Sequence, residues 1–268
     1  MVRKKVLEKP VFERFNKTCI FDAPQITQTP LQIEQKEVKD YSNAVKIHLV
    51  LAKYCEDISW LADYTQSKDI DVELTVFVYN KGRDQVINNF GLSHEHFKVF
   101  SLPNVGRESD TYLTHYIQNY KVYQTISNCY VICSQADPRP HIPKGMSISQ
   151  YMDTIIADAM KNKMSIMFAK PHNFREHTAT YNFNISQWNS QQILKYGDVY
   201  GKWFEKYVRK DFPRPVVWWA GAIFCFNSEL IKAKPIDYFT NIKTTVDNDI
   251  NPETGHFCER SWYYILMP

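Results

Sequence analysis

No run of about 18 apolar residues occurs in the 268-residue chain, so no segment reads as a bilayer-crossing helix. The basic start, "MVRKKVLEKP", is followed by no apolar stretch, so neither a secretory leader nor an anchor is expected. None of the six cysteines, Cys19, Cys55, Cys129, Cys133, Cys225 and Cys258, stands in a CxxC pair. Several lie in apolar runs, and together they read as reduced core thiols of a cytoplasmic protein. The net charge of +3 is too small for the concentrated basic face that nucleic acid requires. GxGxxG, GxxxxGK[ST], HExxH and GxSxG are all missing. The nicotinamide, P-loop, zincin and α/β-hydrolase readings therefore lose support. No internal repeat or low-complexity tract is visible.

What is present is an ordinary globular composition, 44% hydrophobic and 23% charged. Aromatics are plentiful at 15%, and they read first as core filling and second as stacking surfaces. Residues 1–43 are polar and irregular and are expected to form an N-terminal arm packed on the domain. From Lys46 onward, short β-favouring apolar runs alternate with helical periodicity. "KIHLVLAKY", "VELTVFVYNKG", "HFKVFSLPN" and "CYVICS" read as strands. "EDISWLADYTQS" and "GRESDTYLTHYIQNY" read as the helices between them. Further on, "SISQYMDTIIADAMKN" and "YGKWFEKYVRK" are expected helices. "PVVWWAGAIFCFN" reads as one strand interrupted at Gly221, and "HFCERSWYYILM" as a closing helix. This order predicts one α/β, Rossmann-like domain over 44–268, with a mostly parallel sheet and helices on both faces.

Ligands of open α/β sheets bind beyond the carboxyl ends of the strands. The residues just past those ends are Lys53, Tyr54 and Glu56; Asn80 and Lys81; Asn104 to Arg107; and Gln135 to Asp137. A carboxylate at Asp137, stiffened by Pro138 and Pro140, suits a hard cation such as Mn²⁺ or Mg²⁺. The alternative is an Asp-Pro turn satisfied by its own backbone. His141 is the weaker companion. Arg107, after Gly106 at a helix start, is either a diphosphate site or an ordinary loop-to-helix junction. Trp218 and Trp219 point to opposite faces if they lie in a strand, so one can wall a ligand. Glu259, read at a helix start, either complements the helix dipole or acts as a general base.

The segments "VLAKYCEDISWL", "VYNKG", "NVGRESDTYLTHYIQNY", "ICSQADPRPH", "GAIFCFNSELI" and "GHFCERSWYYI" resemble, in that order, an uncharacterised family of fungi, bacteria and large DNA viruses related to GT-A glycosyltransferases. The resemblance spans roughly Lys46 to Leu266 and is most specific at "NVGRE…YL…I..NY". It implies a GT-A domain that binds a nucleotide diphosphate sugar across the first four strand ends, with the donor half at about 44–140 and the acceptor half at about 141–268. The family's Asp-x-Asp metal motif falls on "QAD", where Gln135 replaces the first acid and Asp137 keeps the last. With one acid missing, the diphosphate is left to Arg107, Lys53 or His141. The late segment is similar to inverting, exostosin-like enzymes of proteoglycan assembly, which implies Glu259 as the base, with Asp247 and Asp249 as rivals. Tyr54 is then expected near the uracil, Glu56 or Asn80 at base or ribose, and the tryptophans at a sugar. By analogy, xylose is the first sugar expected and a viral capsid glycan the acceptor, made in the host cytoplasm. Two other classes stay open: a nucleotide- or sugar-binding protein without turnover, and a structural α/β protein.

Overall fold

The computed structural model describes residues 44–67, 72–82, 87–162, 166–168, 177–183, 199–218 and 221–267. The N-terminal arm expected at 1–43, and Trp219, lie outside the described residues. Strands β1 (Val45–Lys53), β2 (Val72–Asn80), β3 (Phe97–Ser101) and β4 (Cys129–Gln135) are the four apolar runs of the sequence. They lie parallel in the order β3-β2-β1-β4. Between them come α1 (Leu61–Gln66), α2 (Arg107–Gln118) and α3 (Tyr120–Thr125). The helical segment expected over "GRESDTYLTHYIQNY" therefore does not stop at Tyr120. The chain leaves the helix at Asn119 and resumes at once.

Side-chain alternation along the parallel strands feeds two cores. Ile47, Leu49 and Leu51 of β1, with Tyr130 and Ile132 of β4, face one side. Val50, Phe77, Tyr79, Val131 and Cys133 face the other. The first side is covered by α1 and by α4 (Ile148–Lys161). Helix α4 opens on a reciprocal cap between Ser147 and Gln150, at 3.1 and 2.9 Å. The second side receives α2 and α3, with α5 (Tyr200–Tyr207), α6 (Glu229–Lys232), α7 (Ile236–Lys243) and α8 (Glu253–Leu266) packed around them. Each fully buried aliphatic or Phe side chain in these layers contributes about 1.5–3 kcal/mol. Strands β5 (Ile166–Phe168) and β6 (His177–Ala179) are short.

Two sequence expectations are corrected here. "PVVWWAGAIFCFN" is not one interrupted strand. Its first part, β7 (Val216–Trp218), pairs with β6 in a separate two-stranded sheet, whereas β8 (Phe224–Asn227) enters the main sheet antiparallel between β4 and β5. Gly221 and Ala222, with φ of 96° and 48°, redirect the chain between the sheets. The closing helix also begins earlier than expected, at Glu253 after Pro252. Glu259 therefore lies in the middle of α8 and cannot complement a helix N-terminus.

A polar chain crosses the second core. His48 Nδ1 lies 2.9 Å from the Tyr123 hydroxyl. That hydroxyl lies 2.6 Å from His115 Nε2, and His115 Nδ1 lies 3.0 Å from the Tyr79 hydroxyl. Among the described residues, no helix is long and apolar enough to cross a membrane.

Candidate active site

The corner between β7 and β8 is the centre of the site. Gly221 N–H donates to Glu259 Oε1 at 3.0 Å, and Gly221 C=O accepts from Gln135 Nε2 at 3.1 Å. One peptide corner thus ties the carboxyl end of β4 to the middle of α8. A Cβ on Gly221 would sit 2.8 Å from His141 Nδ1, so the imidazole occupies the space that glycine leaves. Ala222 is held by the Tyr112 hydroxyl, which donates to its carbonyl at 3.1 Å.

The second wall is the start of α2. Gly106 (φ 67°) and Arg107 (φ 52°) are both left-handed. A Cβ on Gly106 would meet Asp110, and would lie 2.6 Å from the Val246 carbonyl. Only glycine allows that approach, whereas Arg107 holds its conformation under strain. Lys81 anchors this start. Its ammonium, at the end of β2, donates to Val105 O (2.5 Å) and Arg107 O (2.6 Å) and pairs with Asp110 at 3.1 Å. Lys243 of α7 takes the other Asp110 oxygen at 2.9 Å. Lys81 is thus a buried staple beneath Arg107.

Arg107 reaches from α2 to α8. Its Nη1 lies 2.8 Å from His256 Nδ1, and His256 Nε2 lies 3.1 Å from Asn251 Oδ1. These contacts fit a neutral ring protonated on Nε2, which donates to Asn251 and accepts from Arg107. Burial and the neighbouring Arg107 and Arg260 hold the His256 pKa down at about 3, so the ring stays an acceptor at neutral pH.

Glu259 is the buried acid of this site. Burial, then the nearby Glu108 carboxylate, push its pKa up, while Arg107, the Gly221 N–H and Arg260 act in the opposite sense. Glu108 is itself buried, 3.6 Å from Arg107 Nε. A carboxyl group of raised pKa beside a cation suits proton abstraction near neutral pH. Arg260 is clamped between the Phe183 and Trp218 rings at 4.1 and 4.2 Å. Trp218 is therefore a buried stacking partner of Arg260, only 6% exposed, and not an open wall.

The remaining predicted residues divide cleanly. Lys53 is buried at the end of β1, with Nζ 3.3 Å from Tyr54 O. Asn80 accepts from Gly82 N–H at 3.1 Å, and Glu56 accepts from Tyr54 N–H at 2.6 Å. The Tyr54 ring is 48% exposed. Asn104 lies in the loop between β3 and α2, half-buried. Of the rival bases, Asp247 pairs with Lys243 at 3.5 Å on the surface, and Asp249 accepts from Gly106 N–H through its backbone carbonyl at 2.7 Å. Sequence reasoning missed Glu108, Arg139, His256 and Arg260 as site residues. His256 and Arg260 stood beside Glu259 in "GHFCERSW", and Glu108 followed Arg107. The usable signal was adjacency, once Glu259 is placed mid-helix.

Asp137 makes a local turn. Its Oδ1 accepts from the backbone N–H of Arg139 at 3.1 Å and from Arg139 Nε at 2.7 Å. The Trp60 indole N–H fixes the same loop by donating to Ala136 O at 2.9 Å. A Mn²⁺ or Mg²⁺ site needs several hard oxygens around the ion. Here the one carboxylate already holds a guanidinium, and the Gln135 amide nitrogen is committed to Gly221. No group of three or more His, Cys, Asp or Glu gathers as metal ligands among the described residues. The residues at this position do not fit the expected metal.

No protein-family model and no curated protein matches the chain. Among solved structures it is similar to 4-diphosphocytidyl-2C-methyl-D-erythritol synthase, at 11% identity and a TM-score of 0.36, over 74% of this chain and 84% of that one. A likeness of that size is no ground for carrying over a substrate or a mechanism. The class is defined by the chain's own architecture: an α/β domain with a mostly parallel central sheet flanked by helices.

Proposed function

We propose that this chain is an inverting glycosyltransferase of the GT-A type, moving a sugar from a nucleotide diphosphate donor, UDP-linked in the first instance, to a glycan hydroxyl. The observation that carries the reading is the Gly221 corner. It sets the buried, raised-pKa carboxyl of Glu259 against the end of β4, and Arg107 stands beside that carboxyl. In this reading 44–140 is the donor half and 141–268 the acceptor half. Arg107, aimed by His256, meets the diphosphate, and Tyr54 at the exposed end of β1 stacks on the base. Glu259 takes the proton of the acceptor hydroxyl as that oxygen attacks the anomeric carbon. The bond to the diphosphate breaks as the new glycosidic bond forms, so one displacement inverts the anomeric centre. Xylose is the first sugar to try, on the strength of the family resemblance.

The test is transfer by Glu259→Gln against the parent, with a panel of UDP- and GDP-sugars. Removing a general base costs about 10²–10⁴-fold in rate. The expected outcome is that loss, with donor affinity unchanged and an inverted product by NMR. Normal transfer by the variant, or a retained configuration, would sink the mechanism.

A further inference from the structure

The misfit at Asp137 points to a different source of positive charge. Arg139 opens the 3₁₀ turn Arg139–His141 just past β4. It stands between Pro138 and Pro140, whose rings fix the backbone on either side. Asp137 grips it twice, through the backbone N–H and through Nε–H. That grip uses one edge of the guanidinium. Its Nη groups have no hydrogen-bonding partner among the described residues, and the side chain is 58% exposed. Lys53 ends β1 and Asp57 follows four residues later; the Asp57 carboxylate feels both Arg139 and Lys53. Asp57 itself is engaged by Ser59, at 2.9 Å through the backbone and 2.6 Å through the hydroxyl. Two cations, one held by a carboxylate and one buried, therefore stand at the adjacent ends of β1 and β4. The parallel register sets Ala52 opposite Gln135, which brings those ends together.

We propose that Arg139, oriented by Asp137, joins Arg107 in meeting the donor diphosphate, so that a nucleoside diphosphate binds here without a divalent metal. Asp137 then acts as a positioning residue for the guanidinium, not as a metal ligand. The free fork offers paired N–H donors to phosphate oxygens, a geometry that suits arginine better than lysine. A divalent ion held by both Asp137 oxygens would have to displace a guanidinium held at 2.7 Å. This inference rests on the donor reading above and adds to it a second neutralising charge.

The test is calorimetric titration of the full chain with UDP, GDP, CDP and ADP, in EDTA and in Mn²⁺, for the parent, Arg139→Gln and Arg139→Lys. We expect a diphosphate to bind in EDTA, with Mn²⁺ changing its Kd less than about threefold. Charge-assisted hydrogen bonds are the strong ones, so Arg139→Gln should weaken that ligand about tenfold or more. Arg139→Lys should recover part of the loss, and binding of the matching nucleoside should not change. Melting temperatures should agree, because the side chain is exposed. Binding that appears only with Mn²⁺ overturns the proposal and leaves the donor reading intact. So does unchanged binding by Arg139→Gln. If no diphosphate binds in either condition, the donor reading fails and takes this proposal with it.

Discussion

Four non-glycine residues among those described adopt positive φ, and two of them, Arg107 and Ala222, lie at the candidate site. Left-handed backbone at a non-glycine costs roughly 1–3 kcal/mol and persists where its surroundings enforce it. The glycines beside them carry the tightest packing. Gly221→Ala would combine a disfavoured φ of 96° with a Cβ 2.8 Å from His141. Gly145, with φ of 89° and nothing within 4 Å of an added Cβ, isolates the backbone term. Gly145→Ala should lose about 1 kcal/mol in urea unfolding, and Gly221→Ala about 2–4 kcal/mol. Equal losses would mean that His141 yields freely and that the corner is not packed as described. From sequence, Gly221 was visible as an interruption and as a candidate in the donor site. Its φ and its imidazole neighbour depend on residues 80 positions earlier in the fold, roughly, which no local pattern reports.

At the scale of elements, the start of α2 is fastened from three directions, by Lys81 just past β2, Lys243 of α7 and the loop carrying Asp249. Removing one partner of a buried ion pair leaves the other charge stranded. Asp110→Ala and Lys81→Met should therefore each lose about 3–5 kcal/mol, and the double variant should lose much less than their sum. Strict additivity in urea melts would show that the two groups do not interact. The strands and α4 were legible because short apolar runs and helical periodicity are local signals. The extent of α8 was not. It begins at Glu253, after Pro252, six residues before Glu259. Asp137 was read with its turn alternative open, and that turn is what the loop shows. Lys81, expected among the donor contacts, proves to be occupied by backbone carbonyls, which no sequence pattern could announce.

Across the molecule, buried histidines set an acid limit. Burial holds His48 at about 4 and His256 at about 3, and lowers His115 well below the ordinary value of 6.5. Their folded pKa values lie below the unfolded one. Above about pH 6.5 their contribution is complete, and as pH falls below it the unfolded chain gains protons that the folded chain refuses. His48 alone should reduce stability by on the order of 2 kcal/mol between pH 7.5 and 5. Glu259 acts in the reverse sense, since its folded pKa is raised and protonation relieves it as pH falls. The expected result is a fall in unfolding free energy over that range, made shallower by His48→Gln. A flat profile for the parent would mean that these rings are not held neutral.

The place of β8 has a consequence in time. Its partner β4 stands at the middle of the sheet, with Cys133 paired to Val50 on one side and to Phe224 on the other. During synthesis the first pairing is ready once β4 emerges, but the second waits until the ribosome has delivered β8. At 5–20 residues per second, roughly, that is a wait of several seconds. Throughout it the nascent chain shows an open sheet edge, the kind of surface that recruits other strands. The helix that brings His256 and Glu259 comes later still. A ribosome-bound chain halted before β8 would thus hold the strand ends with their cations and lack the acid, and its fate would rest with the chaperones that shield unfinished sheets.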